Sequence, residues 1–231
     1  ISFVLNKITK KLLMKLEVIH ENEEYLVVNK TGGLISEKSP FEDWTVEDQV
    51  NKYLTKKKRK PFIGIIHRLD RVTSGVLIFA KKKSVLVSFN ELFSKRKVKK
   101  TYWAVVKNKP TKEKEKLVHF LFKNNLKKKA DIFKLSKKGA QEAILTYEVM
   151  GKNNFGYLLK IKPKTGRFHQ IRAQLAHIGL PIIGDEKYGS DQKYLHLSIC
   201  LHAQKISYQV LGTKEVRSYQ TDAPNNEFWK F

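Results

Sequence analysis

HRLDRVTSGVLIFA, residues 67–80, divides into two halves with different chemistry. Val76–Ala80 is an unbroken apolar run between Gly75 and Lys81–Lys83, the pattern of a buried strand. Ahead of it, Asp70 stands between Arg68 and Arg71. Nearby positive charge favours the ionised form of a carboxylate, which makes Asp70 a candidate nucleophile or base. For this segment by itself the plainer alternative, a structural Asp–Arg ion pair at a strand entrance, is the better reading.

Outward from this stretch, Ile63–Ile66 reads as a strand before the Asp70 loop. Leu16–His20 and Tyr25–Asn29, around the turn-like Glu21–Glu24, read as a hairpin. Thr45, with Glu47 and Asp48 behind it, has the chemistry of an N-cap opening a helix to about Leu54. From Ser84, the spacing of Leu86, Phe89, Leu92 and Phe93 predicts a second helix face. Lys99–Lys107 alternates as a strand, with Tyr102, Ala104 and Val106 on one face. Thr111–Lys138 is charged and weakly patterned and reads as a hairpin or loop excursion on the surface. Ala143–Met150 and Tyr157–Ile161 are further strands. A turn at 164–169 leads into a helix with Ile171, Leu175 and Ile178 on one face, ended by Gly179 and Pro181. A short return strand follows at Pro181–Asp185. Leu195–Leu201 and Lys205–Val210 close the pattern, and the residues from Asp222 onward read as peripheral. Many short strands with a few helices make the fold α+β.

The chain has 231 residues, 41% of them hydrophobic, enough for a real core, and a formal net charge of +24. The charge is clustered at Lys56–Lys60, Lys81–Lys83, Lys95–Lys100, Lys127–Lys129 and Lys134–Lys138. Any one cluster is as well explained by a lysine-rich composition; the total points to a polyanionic partner, RNA or DNA. Tyr102 and Trp103, directly after one cluster, suit base stacking beside phosphate contact. One cysteine, Cys200, excludes a disulfide framework and a thiolate metal site and fits a cytoplasmic setting. No apolar run reaches transmembrane length, so no membrane association is expected. Met14 opens the first well-patterned segment, and residues 1–13 read as a dispensable, non-native or disordered extension.

The chemistry-bearing motifs are few. There is no Gly-x-Gly-x-x-Gly, P-loop, Gly-x-Ser-x-Gly or His-Glu-x-x-His. The histidines sit in separate segments, and His169 and His177 are eight apart, so no metal is expected. Any reaction must run on one Asp with nearby Arg and Tyr. Arg167 and Arg172 fall on a turn and the first helical turns after it. Phosphate binding at a helix start is one reading, pairing with Asp70 another. Surface solvation fits poorly with the apolar neighbours Ile171, Leu175 and Ile178.

Taken together these segments resemble the RluA family of pseudouridine synthases. Residues 67–75 match its His-Arg-Leu-Asp-x-x-Thr-Ser-Gly signature at every fixed position, and Lys100–Val106 looks like its tyrosine motif. Lys164–Arg172, continuing through Leu175–Gly179 and Pro181–Asp185, looks like its arginine motif, and Leu201-His202-Ala203 resembles a further element. The likeness runs from about Leu16 to Tyr208. Thr31 departs from the usual Asn-Lys-Pro, and Ser36 stands where a His is common; both put substrate contacts in question.

The resemblance implies a mixed, largely antiparallel central sheet flanked by helices, with a catalytic cleft across it. Residues 14–231 would form a single catalytic domain with no S4-type domain. It implies isomerisation of uridine to pseudouridine in a ribosomal or transfer RNA stem-loop, by a monomer that needs no cofactor or metal. Asp70 is then the nucleophile or base, Arg167 pairs with it, and Tyr102 lies against the uracil or ribose. Arg68 occupies the space of the flipped base, Leu69, Ile171 and Leu175 wall the pocket, and Thr73 and Arg172 contact substrate. The competing classes are a non-catalytic RNA-binding or ribosome-assembly factor on the same fold, and a nuclease or glycosylase.

Overall fold

The computed structural model describes residues 16–40, 42 and 44–231. The expected extension at 1–13 lies outside the described residues. One sheet of eleven strands organises the molecule, in the order β1-β2-β4-β10-β5-β9-β8-β6-β7, with β3 beside β4 and β11 beside β10.

The strands are β1 (Glu17–Glu21), β2 (Tyr25–Lys30), β3 (Gly64–Ile65), β4 (Ser74–Ala80), β5 (Val98–Val106), β6 (Lys114–Asn124), β7 (Lys129–Phe133), β8 (Gln141–Lys152), β9 (Tyr157–Pro163), β10 (Leu201–Gln209) and β11 (Val216–Gln220). The helices are α1 (Val46–Thr55), α2 (Lys83–Ser94) and α3 (Gln170–His177). The fold is α+β, as expected, and every pairing is antiparallel except β4 with β10.

β4 is buried along its whole length because both faces of the sheet are covered there. Val76, Ile78 and Ala80 pack with Phe89 and Leu92 of α2; Leu77 and Phe79 pack with Val46, Val50 and Leu54 of α1. This alternation across one strand is the period-two consequence of the pleat, and each large side chain buried there contributes about 2 kcal/mol. Thr45 caps α1 as expected, in a reciprocal box with Asp48. A third cluster joins Ile171 and Leu175 of α3 to Ala104, Val106, Leu145, Leu159 and Ile161.

The structure corrects three expectations. Thr111–Lys138 holds the β6–β7 hairpin, one of its two expected forms, but it is no surface excursion, since β6 pairs with β8 from Lys114 to Leu121 and buries Leu117 and Leu121. Leu195–Cys200 is loop, and the closing strand starts at Leu201. The C-terminal residues are not merely peripheral, because Phe228 and Trp229 pack against the core around β9.

The parallel β4–β10 contact brings the Asp70 loop to mid-sheet. Gly75 makes it possible: its φ is +117°, and a Cβ there would lie 2.3 Å from the Ala203 carbonyl oxygen. Gly75→Ala is expected to destabilise the protein by about 3 kcal/mol, from overpacking plus a backbone conformation that Ala resists. An unchanged urea midpoint would show that the two strands can separate without loss.

A candidate active site between the Asp70 loop and helix α3

Every carbonyl of the loop 69–73 is spoken for. Ser36 Oγ donates to the Leu69 carbonyl and accepts from the Leu69 N–H, at 2.9 and 3.1 Å. The Thr73 N–H closes a turn on the Asp70 carbonyl, and the Ile199 N–H reaches the Val72 carbonyl. Lys30 Nζ donates to the carbonyls of Thr31, Arg71 and Thr73 at 2.7–3.0 Å. Burial pulls the Lys30 pKa down to about 7 against the opposing pull of Asp70. Three acceptors matched to three ammonium protons favour the charged form. The two family departures thus fall near the loop's support: Ser36 holds the loop's backbone rather than facing substrate.

Asp70 itself is partly exposed. Its ion-pair partner is Arg172, with Nη1 3.2 Å from Oδ2. Arg172 is buried and makes a second, two-pronged pair with Asp185, from Nε to Oδ2 at 2.7 Å and from Nη2 to Oδ1 at 2.8 Å. Burial works against the Arg172 charge, but Asp185 and then Asp70 outweigh it and raise its pKa. The Tyr188 ring lies under the guanidinium at 5.1 Å.

The arginines expected around Asp70 are engaged elsewhere. Arg68 pairs with Glu37, and Arg71 hydrogen-bonds Glu42. Arg167 does not pair with Asp70: its Nε donates to the Glu142 carbonyl and its Nη1 to Gln141 Oε1, because the turn before α3 runs along the start of β8. Arg172, one helical turn further on, takes that place. Leu175 is not a cleft wall either; it is fully buried one turn beyond Ile171, among Leu145 and Ile161.

Asp70, Arg68, Leu69, Thr73, Tyr102, Arg167, Ile171 and Arg172 all line one cleft of about 890 Å³. That lies in the upper part of the range for small-molecule pockets, roughly 300–1,000 Å³. Its wall also carries Arg96, Lys100, Lys123 and Lys164, leaving Asp70 as its only carboxylate among the described residues. Burial, then the Asp70 charge, pushes the Tyr102 phenol well above its ordinary pKa, so it is a neutral hydroxyl. Tyr102 packs against both the α1-side and the α3-side clusters, where the cleft crosses the sheet. Thr73 Oγ1 is buried without a protein hydrogen-bond partner.

Sequence reasoning gave no role to Lys30 and Tyr188, and it flagged Ser36 only as a family departure. Asp185 and His169 fell within the arginine motif, but their spacing along the chain carries no sign that one fixes Arg172 and the other approaches Asp70.

A basic cleft across an antiparallel sheet, with one carboxylate held by a buried arginine, fits an enzyme that acts on a polyanion. The sequence profile described as RNA pseudouridylate synthase matches residues 24–177, and the chain belongs to that family. Among its relatives is the tRNA pseudouridine synthase C of Vibrio parahaemolyticus, 32% identical over 221 residues, covering 84% of this chain and 85% of that one. The ribosomal large subunit pseudouridine synthase D of Borreliella burgdorferi is 32% identical, covering 90% of this chain and 65% of the relative. In fold, the chain is similar to human RNA pseudouridylate synthase domain containing 4, with a TM-score of 0.76 at 22% identity over 96% of this chain and 94% of that one. The chain is a pseudouridine synthase, an RNA-modifying enzyme. Among the described residues no helix is long and apolar enough to cross a membrane.

Removing Arg172 strands the buried Asp185 carboxylate, so Arg172→Met is expected to cost about 3–5 kcal/mol of stability. Arg167→Met, at a half-exposed site, is expected to cost less than about 1 kcal/mol. Denaturant titration of both variants checks the assignment, and equal losses would contradict it.

Proposed function

We propose that the enzyme is of the RluA type and isomerises one uridine of a folded RNA, with Asp70 as the nucleophile or base. The Asp70–Arg172 pair at the cleft carries this reading. The reaction breaks the C1′–N1 bond, turns the uracil in place and joins C1′ to C5, whose hydrogen leaves as a proton. A stacked base cannot expose both edges of that bond, so the nucleotide is extruded into the cleft.

Arg172 pairs with Asp70 and aims it, the part first given to Arg167. Tyr102 lies against the extruded base or its ribose as a neutral hydroxyl. Leu69 and Ile171 line the apolar side that retains the detached uracil. Thr73 Oγ1 supplies a hydrogen bond to substrate. Arg68 and Arg167, at the exposed side of the cleft, contact phosphate, and Arg68 is placed to fill the gap left by the base.

A transfer RNA stem-loop is the preferred target, since four of the relatives, 31–33% identical to this chain, are named for transfer RNA, against three named for the ribosomal large subunit. A ribosomal stem-loop is the second reading. The enzyme acts as a monomer in the cytoplasm, a setting that the single buried Cys200 suits.

Transfer and ribosomal RNA transcripts carrying tritium at uracil C5 test the function. Wild-type enzyme is expected to release tritium from a transfer RNA set, and Asp70→Asn to lose about 10⁴-fold or more in kcat while keeping RNA affinity within a few-fold. Near-wild-type turnover by Asp70→Asn would remove the role of Asp70. Tyr102→Phe is expected to lower kcat more than affinity; equal losses would reduce Tyr102 to a stacking surface.

A further inference from the structure

His169 is built into the site in an unusual way. It stands at the N-cap of α3 with φ +52° and ψ +25°, a left-handed conformation that costs a β-carbon-bearing residue about 1 kcal/mol or more, and its side chain does not cap the helix. The conformation stacks its ring on Phe168, with centroids 3.8 Å apart, and turns Nε2 toward Asp70 Oδ2, 3.8 Å away. The opposite nitrogen, Nδ1, lies 3.0 Å from the Tyr188 hydroxyl.

The partners of Tyr188 decide where the imidazole proton sits. The Ala130 backbone N–H, a donor only, gives its hydrogen bond to Tyr188 Oη at 2.7 Å. The hydroxyl's single proton is then free to point at Nδ1, which accepts it and leaves the ring proton on Nε2. The opposite tautomer would leave the hydroxyl proton without an acceptor and set an imidazole lone pair against a carboxylate.

The imidazolium is disfavoured by burial, by Arg172 and by Lys187, against a weaker opposing pull from Asp185, which together bring the His169 pKa down to about 3. The charged groups around the ring are thus Asp70, Arg172, Asp185 and Lys187: Arg172 holds both carboxylates, and Lys187 donates to the Lys128 carbonyl.

We propose that His169 is a positioning residue for Asp70: a neutral imidazole, locked by Tyr188 with its proton on Nε2, that gives a second support to the carboxylate oxygen, Oδ2, that Arg172 also holds. The inference rests on Asp70 being the reacting group. Hydrogen bonds around a catalytic carboxylate commonly close to full length only when substrate is bound, so the 3.8 Å spacing is the open form of this contact. Two supports of unequal charge give the arrangement its use. Arg172 pairs with the charge of Asp70, and His169 fixes its direction without further neutralising it.

The chain of contacts also reaches the β6–β7 hairpin. Ala130 lies on β7, so the position of that strand is transmitted through Tyr188 to the imidazole.

Two substitutions separate positioning from packing. Asn tolerates the left-handed backbone but reaches only as far as Nδ1. Gln extends an amide N–H to the place of Nε2. His169→Asn is expected to lower single-turnover tritium release about tenfold to a hundredfold, with RNA affinity within twofold and an unchanged melting temperature. His169→Gln is expected to recover most of that loss. Nitrogen-15 long-range correlation spectra of the unliganded enzyme are expected to show His169, assigned by its absence in His169→Asn, as the Nε2–H tautomer at pH 6–8. In Tyr188→Phe, that tautomer is expected to lose its exclusivity.

An Nδ1–H or doubly protonated ring at pH 7 would overturn the inference without any activity measurement. So would Gln behaving no better than Asn, or a loss in His169→Asn that follows melting temperature and affinity instead of kcat. Silence of wild-type enzyme on every transcript would instead overturn the functional reading beneath it, while the spectra still decide the tautomer.

Discussion

One guanidinium connects the chemistry of this protein to its architecture. Arg172 is buried on α3 and meets two carboxylates that come from different parts of the chain, Asp185 with two hydrogen bonds and Asp70 with one. A buried cation of this kind is tolerable only when paired, since leaving it unpaired costs several kcal/mol. Asp185 supplies that pairing and makes Arg172 a fixed object. Asp70 then receives from it a single, longer contact at 3.2 Å. A fully paired carboxylate would be stable and inert; this one is oriented and left partly open, as its proposed role requires.

The same division between fixed support and free reacting group appears in the backbone. Lys30, Ser36, Gly33 and Ile199 take up the polar groups of the loop 69–73, so the carboxylate projects from a segment with little freedom of its own. Placing a group rigidly before the reaction avoids reorganisation during it, which is where much of an active site's advantage arises. The buried lysine is costly in isolation. It is retained because three backbone carbonyls would otherwise converge on one another, and an ammonium is the side-chain group that satisfies all three.

Much of this was legible in the chain. The apolar run behind Gly75 announced β4, and Thr45 with Asp48 announced α1, because strand burial and helix capping leave local marks. β6 was not legible. Its buried face carries His119 between Leu117 and Leu121, while Val118 and Phe122 face solvent, so the period of two is scrambled by composition. The site was found but its wiring was misassigned. Arg167 and Arg172 share one motif, and which of them faces Asp70 depends on the left-handed turn at His169, a backbone angle that no residue pattern encodes. Leu175 failed for the same reason: helical spacing puts it on one stripe with Ile171 without saying where along that stripe the cleft ends.

The positive charge that dominates the composition performs two separable tasks once it is placed on the structure. Arg68, Arg96, Lys123 and Lys164 are exposed at the cleft, where mobile ions screen them over about 8–10 Å. They govern the counterion-dependent part of RNA association, which weakens steeply as salt rises. Arg172 and Lys30 are buried and paired within the protein, beyond the reach of that screening. Salt therefore acts on the arrival of the RNA and leaves the disposition of Asp70 untouched. An enzyme whose substrate is a dense polyanion needs that separation, because the field that gathers phosphate at the cleft would otherwise also fix how strongly its one carboxylate is held.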